Sequence, residues 1–242
     1  MPKLPVTNQS NKLTQSSSHK IGLPSLMARS KQAAAKQQQA QADVATLPNR
    51  LALLLDCSGS MACVSNGKRK IEHLRLAYDR FTQALDFGNT SCCCETFPHN
   101  EAAGFPLCTD ITRMILTGWA LEPIGSTPMH HAMSSVLATQ PITRAILISD
   151  GCADSINSAE EQALRYSEAT VPIDCVHIGG STAGEALLKQ IAEITGGIYI
   201  KFTDVDAFAK SFDFLTPAKR SLLLSGQVDA AQLGASEIKF LR

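Results

Sequence analysis

Nowhere do the 242 residues string together the ~20 apolar side chains that a membrane span requires. The first thirty residues also lack the compact apolar core of a secretory signal, so the expected setting is the cytoplasm, with no membrane partner. The eight cysteines contain no Cys-x-x-Cys pair, and a chain of this length does not need disulfide staples. There is no Gly-x-x-x-x-Gly-Lys loop to cradle a phosphate and no Gly-x-Ser-x-Gly elbow to expose a nucleophile. These two absences argue against a nucleotide hydrolase and a serine hydrolase, and the chain is expected not to be an enzyme.

Net charge is absent as well, because 22 Lys/Arg balance 22 Asp/Glu, but the two signs are unevenly placed. Residues 1–50 hold seven basic residues against one acidic, whereas residues 51–215 hold 19 acidic against 11 basic. A basic arm therefore precedes an acidic body. Such an arm can contact nucleic acid, anionic lipid, an acidic partner or its own domain, or remain a solvated tail. Residues 1–48 are polar and Gln/Ala-rich, with few large apolar anchors, and are expected to be disordered or conditionally helical.

What the chain does have is alternation of strand and helix patterns across about 49–215. The run Leu51-Ala52-Leu53-Leu54-Leu55 reads as a strand buried on both faces. Ile71, Leu74, Tyr78, Phe81 and Leu85 follow at spacings of three and four, an apolar stripe on a helix. Ser91–Phe97 is a second strand, and Gly104–Leu107, with Pro106, fits a short edge strand. Asp110 can cap a helix whose stripe is Ile111, Met114, Ile115 and Trp119. Further strands are expected at Arg144–Ser149, Pro172–Ile178 and Ile198–Phe202. Between them lie a helix lined by Met129, Ala132, Met133, Val136 and Leu137, one started by a Ser158/Glu161 capping box, and one carrying Leu187, Leu188, Ile191 and Ile194. A helix around Val205, Phe208 and Phe212 follows the last strand, and 216–242 is a mixed C-terminal extension. The expected fold class is α/β: a Rossmann-like, doubly wound, mainly parallel sheet flanked by helices, with one short antiparallel edge strand.

Polar residues concentrate where those strands should end or the next helix should start. Asp56, Ser58 and Ser60 follow the first strand, Thr127 stands in Gly125-Ser126-Thr127-Pro128, and Asp150 stands in Ser149-Asp150-Gly151. Ligands in open α/β sheets gather at the carboxyl ends of strands. Two carboxylates and three hydroxyls are hard oxygen donors, suited to Mg²⁺, with Mn²⁺ or Ca²⁺ as alternatives.

This arrangement resembles the von Willebrand factor type A (VWA) domain and its metal-ion-dependent adhesion site (MIDAS). The family pattern Asp-x-Ser-x-Ser is met by Asp56-Cys57-Ser58-Gly59-Ser60, and the threonine and second aspartate segments agree in order and spacing over roughly 49–215. The resemblance implies that Ser58, Ser60 and Thr127 bind the cation directly and Asp56 and Asp150 mainly through water. It also implies an open coordination position, filled by a partner's Asp or Glu. The expected function is therefore a protein-interaction module, an adaptor or accessory subunit of a larger assembly, including assemblies around AAA-type ATPases. The alternative is a structural assembly subunit whose basic arm contacts nucleic acid or an acidic partner, the metal only stabilising the fold.

Cys92, Cys93 and Cys94 invite a zinc reading, but adjacent strand residues point to opposite faces and cannot easily share a tetrahedral ion. They are expected to act as small buried hydrophobes. Cys57 and Cys152 each adjoin a proposed ligand and could form a redox-sensitive pair, while His130 and His131 follow Thr127 at a helix start and could meet a partner's acidic residue.

Overall fold

A computed structural model describes Ala35, Asp43, Val44 and Thr46–Phe240, apart from Asn66, Cys152 and Gly180. Most of the 1–48 arm, and the Cys152 half of the suggested cysteine pair, lie outside the described residues.

Strand β1 (Asn49–Asp56) runs through the middle of a seven-stranded sheet. It pairs in parallel with β4 (Thr90–Phe97) on one side and β6 (Arg144–Ser149) on the other. Beyond β6 come β7 (Ile173–Ile178) and β8 (Ile198–Phe202), also parallel. An antiparallel strand closes each edge: β5 (Phe105–Cys108) beside β4, and β9 (Glu237–Phe240) beside β8. The expected α/β architecture is thus present, and β9 is a second antiparallel edge strand drawn from the C-terminal extension. The chain goes to β4 on one side of β1 and then to β6 on the other. That reversal of direction opens a crevice at the carboxyl ends of β1 and β6.

The strict alternation along β1 divides the core in two. Leu51, Leu53 and Leu55 face a layer that includes α1 (Lys70–Ala84), α2 (Ile111–Ala120) and α6 (Val205–Ser211). Ala52 and Leu54 face α3 (Met129–Thr139), α4 (Ile156–Glu168) and α5 (Thr182–Thr195). The three consecutive cysteines obey the same rule: Cys92 and Cys94 join the first cluster and Cys93 the second.

The structure departs from the pattern reading in three places. Helix α2 buries Met114, Thr117 and Gly118, whereas Ile111, Ile115 and Trp119 are exposed, Trp119 by 78%. The cause is a close approach at Gly118, where a Cβ would stand 3.1 Å from the Tyr78 ring. Helix α2 therefore turns its glycine, and not its tryptophan, toward α1. Helix α4 is capped by Ser155, three residues before the predicted cap, because Ser155 is extended and its hydroxyl accepts the Ser158 N–H. Between β1 and α1 the chain also forms a small hairpin, β2 (Val64–Ser65) with β3 (Lys68–Arg69), too short to leave a periodic signature.

Candidate functional site

Asp56 is the last residue of β1 and is fully buried. One carboxylate oxygen accepts the Ser58 backbone N–H at 2.8 Å, and the other accepts the Ser149 hydroxyl at 2.5 Å. Burial pushes this carboxyl up to about 6; the Ser149 and Ser58 hydrogen bonds pull it down, and the nearby Asp150 charge adds to the upward push. A buried carboxylate in that condition is short of positive charge.

The two serines connect Asp56 to Asp150. Ser60 donates to Asp150 Oδ1 at 2.7 Å, which uses its one proton. The 3.0 Å contact between the Ser58 and Ser60 hydroxyls must then have Ser58 as donor. Ser58 precedes a short 3-10 turn, Gly59–Ala62, which carries Ser60 and buries Met61. Asp150 directly follows β6, and its second oxygen accepts from Lys70 Nζ at 2.5 Å.

Thr127 reaches this end of the sheet through backbone contacts. The Ile124 N–H donates to Cys57 C=O at 2.7 Å, and Gly125 C=O accepts the Gly59 N–H at 3.0 Å. Gly125 takes φ +62°, which favours glycine. Thr127 and Asp154 then bond reciprocally: Thr127 N–H to Asp154 Oδ1 at 2.9 Å, and Asp154 N–H to Thr127 C=O at 3.0 Å. The threonine loop is thereby fastened both to the serine loop and to the segment after Asp150.

Four of the five predicted residues, Asp56, Ser58, Ser60 and Asp150, form one hydrogen-bonded oxygen cluster, and Thr127 stands on the adjoining loop. His130 and His131 stack on each other with ring centroids 4.1 Å apart; burial and the neighbouring charge of His131 push His130 below its ordinary range. Three contributors escape a motif reading. Ser149 orients Asp56, Asp154 positions Thr127, and Lys70 neutralises Asp150. Lys70 does leave a trace in the sequence, since Lys68-Arg69-Lys70 places cations at a helix start, where acidic residues are favoured.

The donor set fits a hard divalent cation, which would be held by two carboxylates and by hydroxyls. Among the described residues there is no group of three or more His, Cys, Asp or Glu arranged to hold a metal. Borderline or soft ions such as zinc, which favour nitrogen and sulfur, find no such cage there.

Residues 109–200 match the family described as von Willebrand factor type A domain, a stretch that holds Thr127 and Asp150 but begins after the Asp56 segment. The uncharacterized protein YwmD of Bacillus subtilis is 26% identical over 190 residues, covering 67% of this chain and 83% of that protein. Among solved structures, BatB from Bacteroides thetaiotaomicron superposes with a TM-score of 0.57 at 16% identity, over 73% of this chain and 99% of that one. The SpRpn10 VWA domain does so with a TM-score of 0.51 at 11% identity, over 66% and 93%. At such identities the structural likeness speaks for the fold alone.

Proposed function

We propose that this von Willebrand factor type A domain is a non-catalytic interaction module that captures an acidic side chain of a protein partner through a divalent cation, Mg²⁺ first among the candidates. The observation that carries the reading is the continuous oxygen cluster from Asp56 through Ser58 and Ser60 to Asp150, at the crevice where the strand order reverses. Ser58, Ser60 and Thr127 would supply hydroxyl oxygens to the cation, and Asp56 and Asp150 the counter-charge. When bound, the cation presents a positive centre that a partner carboxylate can complete.

The same cluster speaks for binding over catalysis. Both serine hydroxyls are directed along the chain that ends at Asp150, and none of the described hydrogen bonds joins either to a histidine base. An accessory place in a larger assembly, AAA-type ATPase assemblies included, and a cytoplasmic setting belong to the same reading. Among the described residues no helix is long and apolar enough to cross a membrane.

Affinity capture from native cells tests it, using the wild type, Asp56→Ala and Thr127→Ala with Mg²⁺ or with chelator. The expected result is a partner retained only by the wild type with Mg²⁺. Mg²⁺-dependent capture that persists in both variants would overturn the reading. Capture indifferent to chelator would favour the assembly subunit whose basic arm makes the contact.

A further inference from the structure

We propose that Lys70 is a built-in counter-cation that competes with the divalent ion for Asp150, holding down the site's affinity for metal alone and leaving the loaded site in need of an outside carboxylate. The inference rests on the metal reading above. It concerns a residue that the Asp-x-Ser-x-Ser pattern does not include.

The position of Lys70 is unfavourable on two counts. It is the first residue of α1, where the helix dipole opposes a cation. Its side chain is also only 16% exposed, so the ammonium has given up much of its hydration. The compensating contact is Asp150, whose side chain is 1% exposed and lies 2.5 Å away. Asp150 is thereby shared, with Ser60 on one oxygen and Lys70 on the other.

The backbone holds the lysine in register with the serine loop. The Lys70 N–H donates to Cys63 C=O at 3.0 Å, and the Cys63 N–H donates to Ser60 C=O at 3.1 Å. One turn further along α1, buried His73 contacts Ser65 C=O at 3.1 Å and Asp206 at 3.2 Å, fastening the same helix end to the hairpin and to α6. The lysine thus reaches Asp150 from a braced platform.

The charge count gives the consequence. Two carboxylates and one ammonium leave the cluster at −1, so a divalent ion raises it to +1 and one acidic ligand side chain restores neutrality. Without the ammonium, the same ion would be neutralised by Asp56 and Asp150 alone. Removing Lys70 should therefore tighten metal binding and weaken the demand for an acidic ligand.

Calorimetric measurement of Mg²⁺ binding to the full chain, for the wild type, Lys70→Gln and Lys70→Met, tests this. Both variants should bind Mg²⁺ about tenfold more tightly, the order expected for one unit charge a few ångströms from the site. Their melting temperatures should also rise further with Mg²⁺ than that of the wild type. Lys70→Arg, which keeps the charge, should stay close to the wild type. Circular dichroism identifies which variants are folded, and Lys70→Gln, which retains length and polarity, serves if Lys70→Met is not. Unchanged or weaker Mg²⁺ affinity in the folded neutral variants, with wild-type binding intact, would overturn the role of Lys70 alone. Absence of Mg²⁺ binding in wild type and variants alike would overturn the metal reading, and this inference with it.

Discussion

The Ser149 hydroxyl donates to Asp56 across 2.5 Å and so joins the last residues of the two central strands, β6 and β1. The bond is buried, and its acceptor is a carboxylate that burial already disfavours. Ser149→Ala should lower stability by about 1–3 kcal/mol, the range for removing one partner from a buried group. It should also weaken Mg²⁺ binding, because one Asp56 oxygen loses the donor that orients it. Urea denaturation with and without Mg²⁺ measures both effects.

At the opposite end of the sheet, buried Asp174 gathers two guanidinium groups. Arg144 reaches it at 2.9 Å, and Arg220 grips it with two bonds, at 2.7 and 2.8 Å. The Ile198 N–H adds a fourth bond at 2.9 Å, so one carboxylate ties β6, β7, β8 and the helix α7 (Pro217–Leu224) together. Asp174→Asn would leave buried positive charge without its counter-ion. The expected loss is about 3–5 kcal/mol. Since Asp174 is near the start of β7, away from the strand ends that carry the site, Mg²⁺ affinity should be unchanged in the folded fraction.

Glu185 provides an acid-limb prediction. Hydrogen bonds from Lys189 at 2.7 Å and Lys201 at 2.6 Å pull its carboxyl down to about 2. A carboxyl depressed in the folded state contributes its stability above the unfolded value of 4.5 and loses it as pH falls toward the folded value. The network is near the surface, so the contribution is about 1 kcal/mol or less. Glu185→Gln should therefore melt below the wild type at pH above about 5, and the gap should close toward pH 2.

Two neighbouring glycines should respond very differently to alanine. Gly196 ends α5 at φ +70° with open space around it, so Gly196→Ala should lose only about 1 kcal/mol from the left-handed backbone. A Cβ on Gly197 would stand 1.9 Å from the Ile173 carbonyl oxygen, which is backbone of the paired strand β7 and cannot swing aside. Gly197→Ala should destabilise by several kcal/mol, in the exceptional part of the single-substitution range. Thermal denaturation of the pair distinguishes a conformational effect from a steric one.

Much of this was legible in residue order, for reasons that differ by element. The continuous run Leu51–Leu55 suits a strand covered on both faces and is one, and Ile71, Leu74, Tyr78, Phe81 and Leu85 are all buried as their spacing requires. Helix α2 departs from its apolar stripe because periodicity reports which residues suit burial, whereas the close approach of Gly118 to Tyr78 sets the face. Ser158 and Glu161 have capping-box spacing, but the cap is Ser155, which has no Glu or Gln three residues on to mark it.

The placement of Asp56, Ser58, Ser60 and Asp150 was determined by the sequence, since small polar residues that follow a buried strand come at its carboxyl end, and Thr127 stands just ahead of helix α3. Their partners were decided only by the tertiary structure. Ser149, Asp154 and Lys70 lie 93, 27 and 80 positions from the residues they orient or neutralise, and no local spacing rule spans such distances. The parallel crossover between β1 and β6 places Ser149 on Asp56, and the start of α1 carries Lys70 to Asp150. Local pattern thus settled which oxygen-bearing side chains stand at the strand and helix ends, and long-range folding settled the charge and hydrogen bonds that surround them.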